Sequence, residues 1–296
     1  MADQKLTALS ALSALTGDDL LYAVDDVAGT PTSYKVTAAV AREYSNMVQA
    51  TGTDANTTMA VNTLYTVDMS AWATADRTYT LPATAAVGDM IGIVVTAGNT
   101  STFELLITAG TGDTLSGIAG GTEWSRVFIT GETVIMRCTS ANATWMVMQD
   151  GRIPQTANLG LTTDADGEGA ATWVLPTSFG GAWTQGAATG ATTNTANGNI
   201  NIRRAGTYNT TVMSRAKDAV ADGQYYGVRI GKNNAEYRSR QCFASAAQTT
   251  SAILNDPGVV CAAGDTLQLY YVSQAGGVGA RGSAGAVTFI SVTEVL

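Results

Sequence analysis

The segment Gly264-Asp265-Thr266-Leu267-Gln268-Leu269-Tyr270-Tyr271-Val272 combines a turn signal with a strand pattern. Gly-Asp favours a turn because glycine tolerates positive φ and aspartate accepts hydrogen bonds from nearby backbone N–H groups. Successive side chains point to opposite faces of a strand. Leu267, Leu269 and Tyr271 are therefore predicted to share one face of the strand. Gln268, Tyr270 and Val272 are predicted to share the other.

Two further stretches, at 206–212 and 286–292, have the same character. An acidic-turn strand, a Gly-x-Tyr strand and a terminal Phe-x-x-Val strand together resemble the C1q/TNF-like jelly roll. The resemblance implies a β-sandwich head that assembles as a homotrimer. It assigns packing in the core or at the trimer contact to Tyr208, Leu267, Leu269, Tyr271 and Phe289.

The remaining strands of the head are predicted from short β-patterned runs. The eight predicted strands, which fit a jelly roll, are 171–175, 199–203, 206–213, 225–230, 237–243, 251–254, 266–272 and 287–292. Trp173 and Trp183 are predicted core aromatics.

Composition favours an all-β protein of several domains. The chain has 296 residues, which suffices for two or three domains. It contains 32 glycines and is only 14% charged, so tight turns between strands are expected. The net charge is −8 and no cluster of Lys or Arg offers a surface for phosphates, which argues against a nucleic-acid partner.

No membrane insertion is predicted, because no apolar run approaches the about 18 residues of a spanning helix. The first residues lack the basic-then-apolar layout of a secretory signal, so synthesis in a cytoplasm is expected.

Four regions are predicted: an N-terminal segment (1–50), a β-rich stem module (51–153), a linker (154–170) and the jelly-roll head (171–296).

The N-terminal segment carries a leucine repeat and a hairpin pattern. Strands are predicted at 20–25 and 33–37, and a short helix at 38–49. A Leu-rich lead, Gly-Asp-Asp-Leu-Leu-Tyr-Ala-Val-Asp-Asp at 17–26, a Gly-Thr-Pro loop and a Lys-Val-Thr strand resemble the N-terminal region of tailed-bacteriophage fibre and other virion appendage proteins. The resemblance implies attachment to the virion through Leu6, Leu9, Leu12, Leu15, Leu20, Leu21 and Tyr22.

The stem module is predicted to be a β-meander. Its strands are expected at 77–81, 90–95, 103–108, 124–129, 132–138 and 144–148, with a glycine-rich loop at 110–121. The Tyr-Thr-Leu-Pro entry at 79–82 and the Ala-Asn-Ala-Thr-Trp close at 141–145 resemble small β modules of phage fibre proteins.

The residue inventory argues against catalysis. The chain contains no histidine, which removes Ser-His-Asp, Cys-His and His-ligated metal sites. No phosphate-binding Gly-x-x-x-x-Gly-Lys-Ser/Thr loop is present. A carboxylate pair of the glycosidase type stays open in principle, but the interpretation is a non-enzyme without cofactor or metal.

Two smaller features are interpreted as structural. Asp164-Ala165-Asp166-Gly167-Glu168 imitates the start of a Ca²⁺ loop but lacks its distal glutamate, so a solvated acidic turn is preferred. Cys138, Cys242 and Cys261 are interpreted as small hydrophobic residues in a reducing compartment, with a Cys242–Cys261 bridge as the alternative.

The function predicted from these resemblances is that of a short trimeric tail fibre, part of a tailed-phage virion, whose head binds a host surface glycan or protein. The candidate host contacts are Tyr226, Tyr270, Gln274 and Arg281, because tyrosine suits interfaces and loops on rigid scaffolds often carry binding. Other virion proteins are the expected partners of the N-terminus. A capsid decoration or head-fibre protein is the main alternative, and a polysaccharide depolymerase is the third.

Overall fold

The computed structural model describes residues 20–25, 32–37, 47–72, 74–99, 103–141, 144–167, 172–244, 249–274, 277–282 and 287–296. These residues form β-strands, turns and one short 3-10 segment (Pro176–Phe179), and none of them is in an α-helix. The prediction of an all-β protein is confirmed.

The first described element is a hairpin. Strands β1 (Leu20–Asp25) and β2 (Thr32–Thr37) pair antiparallel, with Leu20 opposite Thr37. The predicted hairpin is therefore confirmed. The leucine repeat at 6–15 and most of the predicted helix lie outside the described residues, but Val48 and Gln49, at the end of that helix, belong to a strand.

The second unit, here called the stem, contains eleven strands in two sheets. They are β3 (Val48–Thr51), β4 (Thr57–Thr58), β5 (Thr63–Asp68), β6 (Arg77–Thr80), β7 (Met90–Ala97), β8 (Leu105–Thr108), β9 (Thr114–Leu115), β10 (Ile118–Ala119), β11 (Glu123–Val127), β12 (Thr133–Ser140) and β13 (Thr144–Gly151). The strand orders are β10-β9-β13-β12-β7-β5-β3 and β11-β8-β6-β4.

The stem begins as a parallel coil. From β3 to β8 the chain alternates between the two sheets, and each strand pairs parallel with the strand two before it: β5 with β3, β7 with β5, β6 with β4, and β8 with β6. β12 then adds antiparallel to β7, and β13 antiparallel to β12. The predicted meander is wrong: most predicted strands exist, but those from β6 to β8 alternate between the two sheets, and β11 and β12 also lie in different sheets.

The sequence of β7 fits this position. Its Met-Ile-Gly-Ile-Val-Val run is buried almost throughout, as expected for a strand covered on both faces in a parallel arrangement. The stem core between the two sheets includes Tyr79, Ile93, Ile107 and Trp145, all fully buried. Tyr79 also accepts a hydrogen bond from the backbone N–H of Thr53 at 2.7 Å, which ties the first turn of the coil to the next.

The head is a sandwich of two five-stranded antiparallel sheets. Its strands are β14 (Thr156–Leu161), β15 (Trp183–Thr189), β16 (Thr192–Asn194), β17 (Asn199–Asn201), β18 (Gly206–Arg215), β19 (Tyr225–Lys232), β20 (Ala235–Phe243), β21 (Ser251–Cys261), β22 (Thr266–Ser273) and β23 (Phe289–Val295). The first head sheet has the order β15-β14-β23-β18-β21, and the second has β16-β17-β22-β19-β20. This is the predicted jelly-roll sandwich.

The boundaries of the head differ from those predicted. β14 lies within the predicted linker 154–170, yet it pairs with β15 and β23 in the first head sheet. The predicted strand at 171–175 is wrong over its described residues, 172–175, where Val174 alone forms a bridge, to Tyr271. At the other end of the stem, β3 begins inside the predicted N-terminal segment 1–50.

The core of the head lies between the inner faces of its sheets. Tyr208 and Val212 of β18 pack with Leu267, Leu269 and Tyr271 of β22 in one cluster of buried residues. The alternation predicted for 267–272 is present, but Gln268, Tyr270 and Val272 on the opposite face are buried too. Of the two predicted core aromatics, Trp183 is buried, while Trp173 is half-buried.

Candidate functional site

Two adjacent arginines join the head to the stem. Arg203 and Arg204 lie between β17 and β18, and both side chains are buried. The Arg204 guanidinium is paired with the carboxylates of Glu132 in the stem and Glu294 in the head, the latter at 2.9 Å. It also donates to the carbonyl oxygens of Arg126, at 2.7 Å, and Ile153, at 3.2 Å. One side chain thus holds two modules.

Arg203 makes a similar set of contacts with the stem. Its Nε donates to Glu104 at 2.8 Å, and its terminal nitrogens donate to the carbonyl oxygens of Asn99 and Phe103 at 3.1 and 3.2 Å. Arg203 and Arg204 both lie over the Phe128 ring, with guanidinium carbons 4.1 and 4.9 Å from its centroid. An aromatic face attracts a cation, so the Phe128 ring helps to hold both guanidinium groups in place.

The three glutamates of the junction are fully engaged. Glu104 is also bound by Arg126 at 2.5 Å, and burial raises the pKa of its carboxyl group. Glu132 accepts hydrogen bonds from the backbone N–H groups of Phe128, at 2.6 Å, and Ile153, at 3.0 Å. Such buried ion pairs contribute little net stability, but losing one partner leaves an uncompensated charge. The network therefore fixes the orientation of the head relative to the stem.

Tyr208 and Gln155 extend the junction into the head core. Gln155 donates to the Tyr208 hydroxyl at 2.8 Å, and that hydroxyl donates to the Arg204 carbonyl oxygen at 2.7 Å. Burial, aided by the nearby charge of Glu294, raises the pKa of Tyr208. The backbone N–H of Gln155 in turn donates to Glu294 at 3.0 Å. Tyr208 is thus a core residue that supports the joint.

A second feature is the outward face of the first head sheet. Register places Met213 of β18 opposite Ile253 of β21 and Phe289 of β23. At the other end of the strands Thr207 lies opposite Val260 and Val295. Ile253, Val260, Val295 and Leu296 are 46%, 62%, 48% and 52% exposed. The rows between, Asn255–Thr211–Ser291 and Asn209–Thr293, are uncharged. Arg215, opposite Ser251, places a charge on the same face at the end of β18.

The structure corrects two of the four candidate host contacts. Tyr226 is fully buried, and its hydroxyl is 2.7 Å from that of Ser214. Tyr270 is 7% exposed because its ring lies over Gly231 and under the Arg229 guanidinium, 4.3 Å from the ring centroid. Neither side chain is available to a host surface.

The other two candidates lie nearer the surface. Gln274 is half-buried, and its side-chain oxygen accepts a hydrogen bond from the Tyr225 backbone N–H at 3.3 Å. Arg281 is exposed, with its backbone N–H bound to the Arg215 carbonyl at 2.8 Å. Of the four predicted contacts, Arg281 is the most accessible.

The remaining predicted residues are distributed over the chain. Leu20, Leu21 and Tyr22 lie on β1, whereas Leu6, Leu9, Leu12 and Leu15 are outside the described residues. In the acidic turn, Asp166 pairs with Lys217 at 2.6 Å and Asp164 accepts the Gly282 N–H at 2.7 Å. Within the described ranges no group of three or more acidic or cysteine side chains is placed to hold a metal ion.

The three cysteines are present as thiols. Cys138 and Cys261 are buried, Cys242 is half-buried, and none of the three is in a disulfide, so the alternative Cys242–Cys261 bridge is not formed. In the part of the chain that the structure describes, no helix meets the length and hydropathy of a membrane span.

Sequence comparison identifies no relative. No protein-family model matches the chain, and no curated protein matches it. Solved structures with partial likeness include Eiger TNF from S. frugiperda (13% identity, TM-score 0.38, 49% of this chain and 94% of that one) and murine APRIL at pH 5.0 (10%, 0.36, 48% and 100%). Pika GITRL is similar at 15% identity and a TM-score of 0.24, over 48% and 96%. The assignment of the head as a jelly roll rests on its strand order.

Proposed function

We propose that this protein is a structural appendage of a tailed-phage virion: a short trimeric tail fibre whose head is displayed toward the host. The observation that supports this most is the buried junction, in which Arg203 and Arg204 lock the jelly-roll head to a coiled β stem. A rigid stem and head behind an N-terminal hairpin suit a part that is anchored at one end and exposed at the other.

The outward face of the first head sheet supports the trimer. Soluble monomers seldom expose contiguous apolar patches unless these are contact surfaces. Ile253, Met213 and Phe289 form one apolar row across three strands, and Val260 and Val295 flank another. Uncharged polar residues lie between the rows, and the charged Arg215 lies at the end of β18. Copies of this face can therefore pack through the rows without burying a charge. A closed ring of three is the symmetry expected for a coaxial fibre.

A binding rather than catalytic role is supported by the state of the acidic residues at the junction. A glycosidase needs one carboxyl group that can donate a proton and another that can attack or activate water. Glu104, Glu132 and Glu294 are instead each held by an arginine. We therefore propose that adhesion to the host involves no cleavage.

The experiment that tests the proposal is antibody–gold labelling of the head on intact virions. Label at the tail end is expected. Label spread over the shell would replace the tail fibre by a capsid decoration or head fibre, and absence of label from virions would overturn the virion role. Release of reducing sugar from host envelope material, lost when a carboxylate pair is changed, would overturn the non-enzymatic role.

A further inference from the structure

We infer that the stem–head junction contains a binding site for a neutral saccharide. A cavity of about 500 Å³ opens where the edge strands β15 and β16 of the two head sheets meet two loops of the stem. Its walls include Asn99, Ile129 and Thr130 from the stem and Gln185, Ala188 and Thr193 from the head. Its size lies within the range typical of small-molecule sites.

The cavity is held in shape by the junction itself. Arg203 forms part of its wall, and its guanidinium is fixed by Glu104 and two backbone carbonyls. Gly190 brings the head against the stem: a Cβ there would lie 2.6 Å from Ile129 and 3.1 Å from Phe128. Its φ of +74° is also one that other residues rarely adopt. The walls therefore come from two modules that cannot separate without breaking buried ion pairs.

The polar groups of the cavity select the ligand class. Gln185 accepts a hydrogen bond from the Thr193 hydroxyl at 2.6 Å, which leaves its amide N–H group without a partner among the described residues. The Thr130 hydroxyl accepts from the Gly98 backbone N–H at 2.8 Å and keeps its own O–H to donate. These are neutral donors and acceptors beside the apolar Ile129 side chain, a combination that fits sugar hydroxyls and the apolar face of a sugar ring.

Charged ligands fit less well. The charged side chain in the described wall is Arg203, and the carboxylate of Glu104 already neutralises it. A second cavity of about 330 Å³ shares Thr192 and Arg203 with the first. The two cavities are therefore neighbours at the junction, and the wall of the second also contains Glu104 and Arg126. The inference rests on the proposed function, since it names the ligand class for host contact.

The test uses the full-length protein on an array of neutral gluco-, manno- and galacto-oligosaccharides, with sialylated and uronic-acid oligosaccharides as charged counterparts. Ala188→Trp fills the cavity, and Ala187→Trp places the same ring on the exposed neighbouring position of β15. The wild-type protein is expected to retain a neutral saccharide. Its affinity should fall by about tenfold or more in A188W and stay unchanged in A187W. No neutral saccharide retained, a preference for the charged set, or equal affinity of both variants would overturn the inference.

A second assay distinguishes failure of this inference from failure of the proposed function. It measures adhesion of the protein to cells of the bacterium that the labelled virions infect. Adhesion lost in A188W but kept in A187W, and sensitive to periodate treatment of the cells, supports both. Adhesion that A188W leaves intact, or that protease rather than periodate abolishes, overturns the saccharide site while host binding stands. Saccharide retention by the wild type without adhesion to cells leaves the cavity assigned and overturns the host-binding role.

Discussion

At the junction Arg204 lies beside Glu132 and Glu294 in a buried network, whereas the outward face of the first head sheet carries Ile253 and Val260 with uncharged rows between them. Each surface orients the head relative to a neighbour: the stem at the junction and, in the proposed trimer, another copy of the chain at the outward face. Charge pairs and directed hydrogen bonds fix one orientation, since a misplaced partner leaves a buried charge. An apolar face is non-directional and gains from any copy that covers it. The comparison indicates an internal joint on one side and an assembly surface on the other.

The largest expected effect is at the junction. Arg204→Ala leaves the Glu132 and Glu294 carboxylates buried without their cation, so the free energy of unfolding should fall by about 3–5 kcal/mol. Urea unfolding followed by tryptophan fluorescence measures the change. Arg238→Ala is the control, because it removes an exposed arginine paired with Asp256 at 3.0 Å and should cost less than about 1 kcal/mol. Equal losses in the two variants would contradict the role given to Arg204.

The next effect tests the hydrogen-bonded support of the joint. Tyr208→Phe removes the hydroxyl that links Gln155 to the Arg204 carbonyl. Two buried polar groups then lose a partner, and a loss of about 1–3 kcal/mol is expected in the same unfolding experiment. Tyr237→Phe is the matched control, since its hydroxyl makes one long, exposed contact of 3.3 Å with Gly258. A Tyr208→Phe protein as stable as this control would show that the network ends at Arg204.

The outward face should respond in assembly and not in folding. Ile253→Glu places a charge in the apolar row beside Met213, and analytical ultracentrifugation is expected to show a monomer where the wild type sediments as a trimer. Its unfolding free energy should change by less than about 0.5 kcal/mol in the monomer, because the side chain is half exposed. Ser239→Glu on the exposed edge strand β20 should leave the trimer intact. A wild-type monomer at micromolar concentration would remove the assembly surface from the comparison.

The sequence predicts some of these structural features and misses others. Strand alternation located β18 well, because burial on one face leaves a period of two in the residues. The parallel coil was missed, since local pattern says nothing about which strand pairs with which. The junction was missed for a related reason: Glu104, Glu132 and Arg204 are far apart in sequence and meet only in the fold. The adjacent pair Arg203-Arg204, in a chain with few charges, was the available signal.

The tyrosine pairs illustrate a different limit. Alternation predicts that one ring of each pair, Tyr225-Tyr226 and Tyr270-Tyr271, points inward and the other outward. The structure places Tyr226 and Tyr271 in the core. Tyr270 points the other way but is covered by Arg229, which also lies 5.2 Å from the Trp173 ring centroid. Strand periodicity assigns a face to a residue, whereas exposure depends on what a distant segment places over that face.

The smallest expected effect concerns the thiols, which report whether the junction opens without the rest of the head. Cys261 ends β21 beside Gly206, close to the junction, and burial raises the pKa of its thiol to about 11. At about pH 8 it is therefore almost entirely protonated, while alkylation requires the thiolate. Iodoacetamide followed by peptide mass mapping should modify half-buried Cys242 at least about tenfold faster than Cys261 in the native protein. In Arg204→Ala the alkylation rate of Cys261 should rise and that of Cys242 should not, whereas Ile253→Glu should change neither rate. Faster alkylation of both thiols in Arg204→Ala would mean that the head loosens as a whole and that the junction does not open separately.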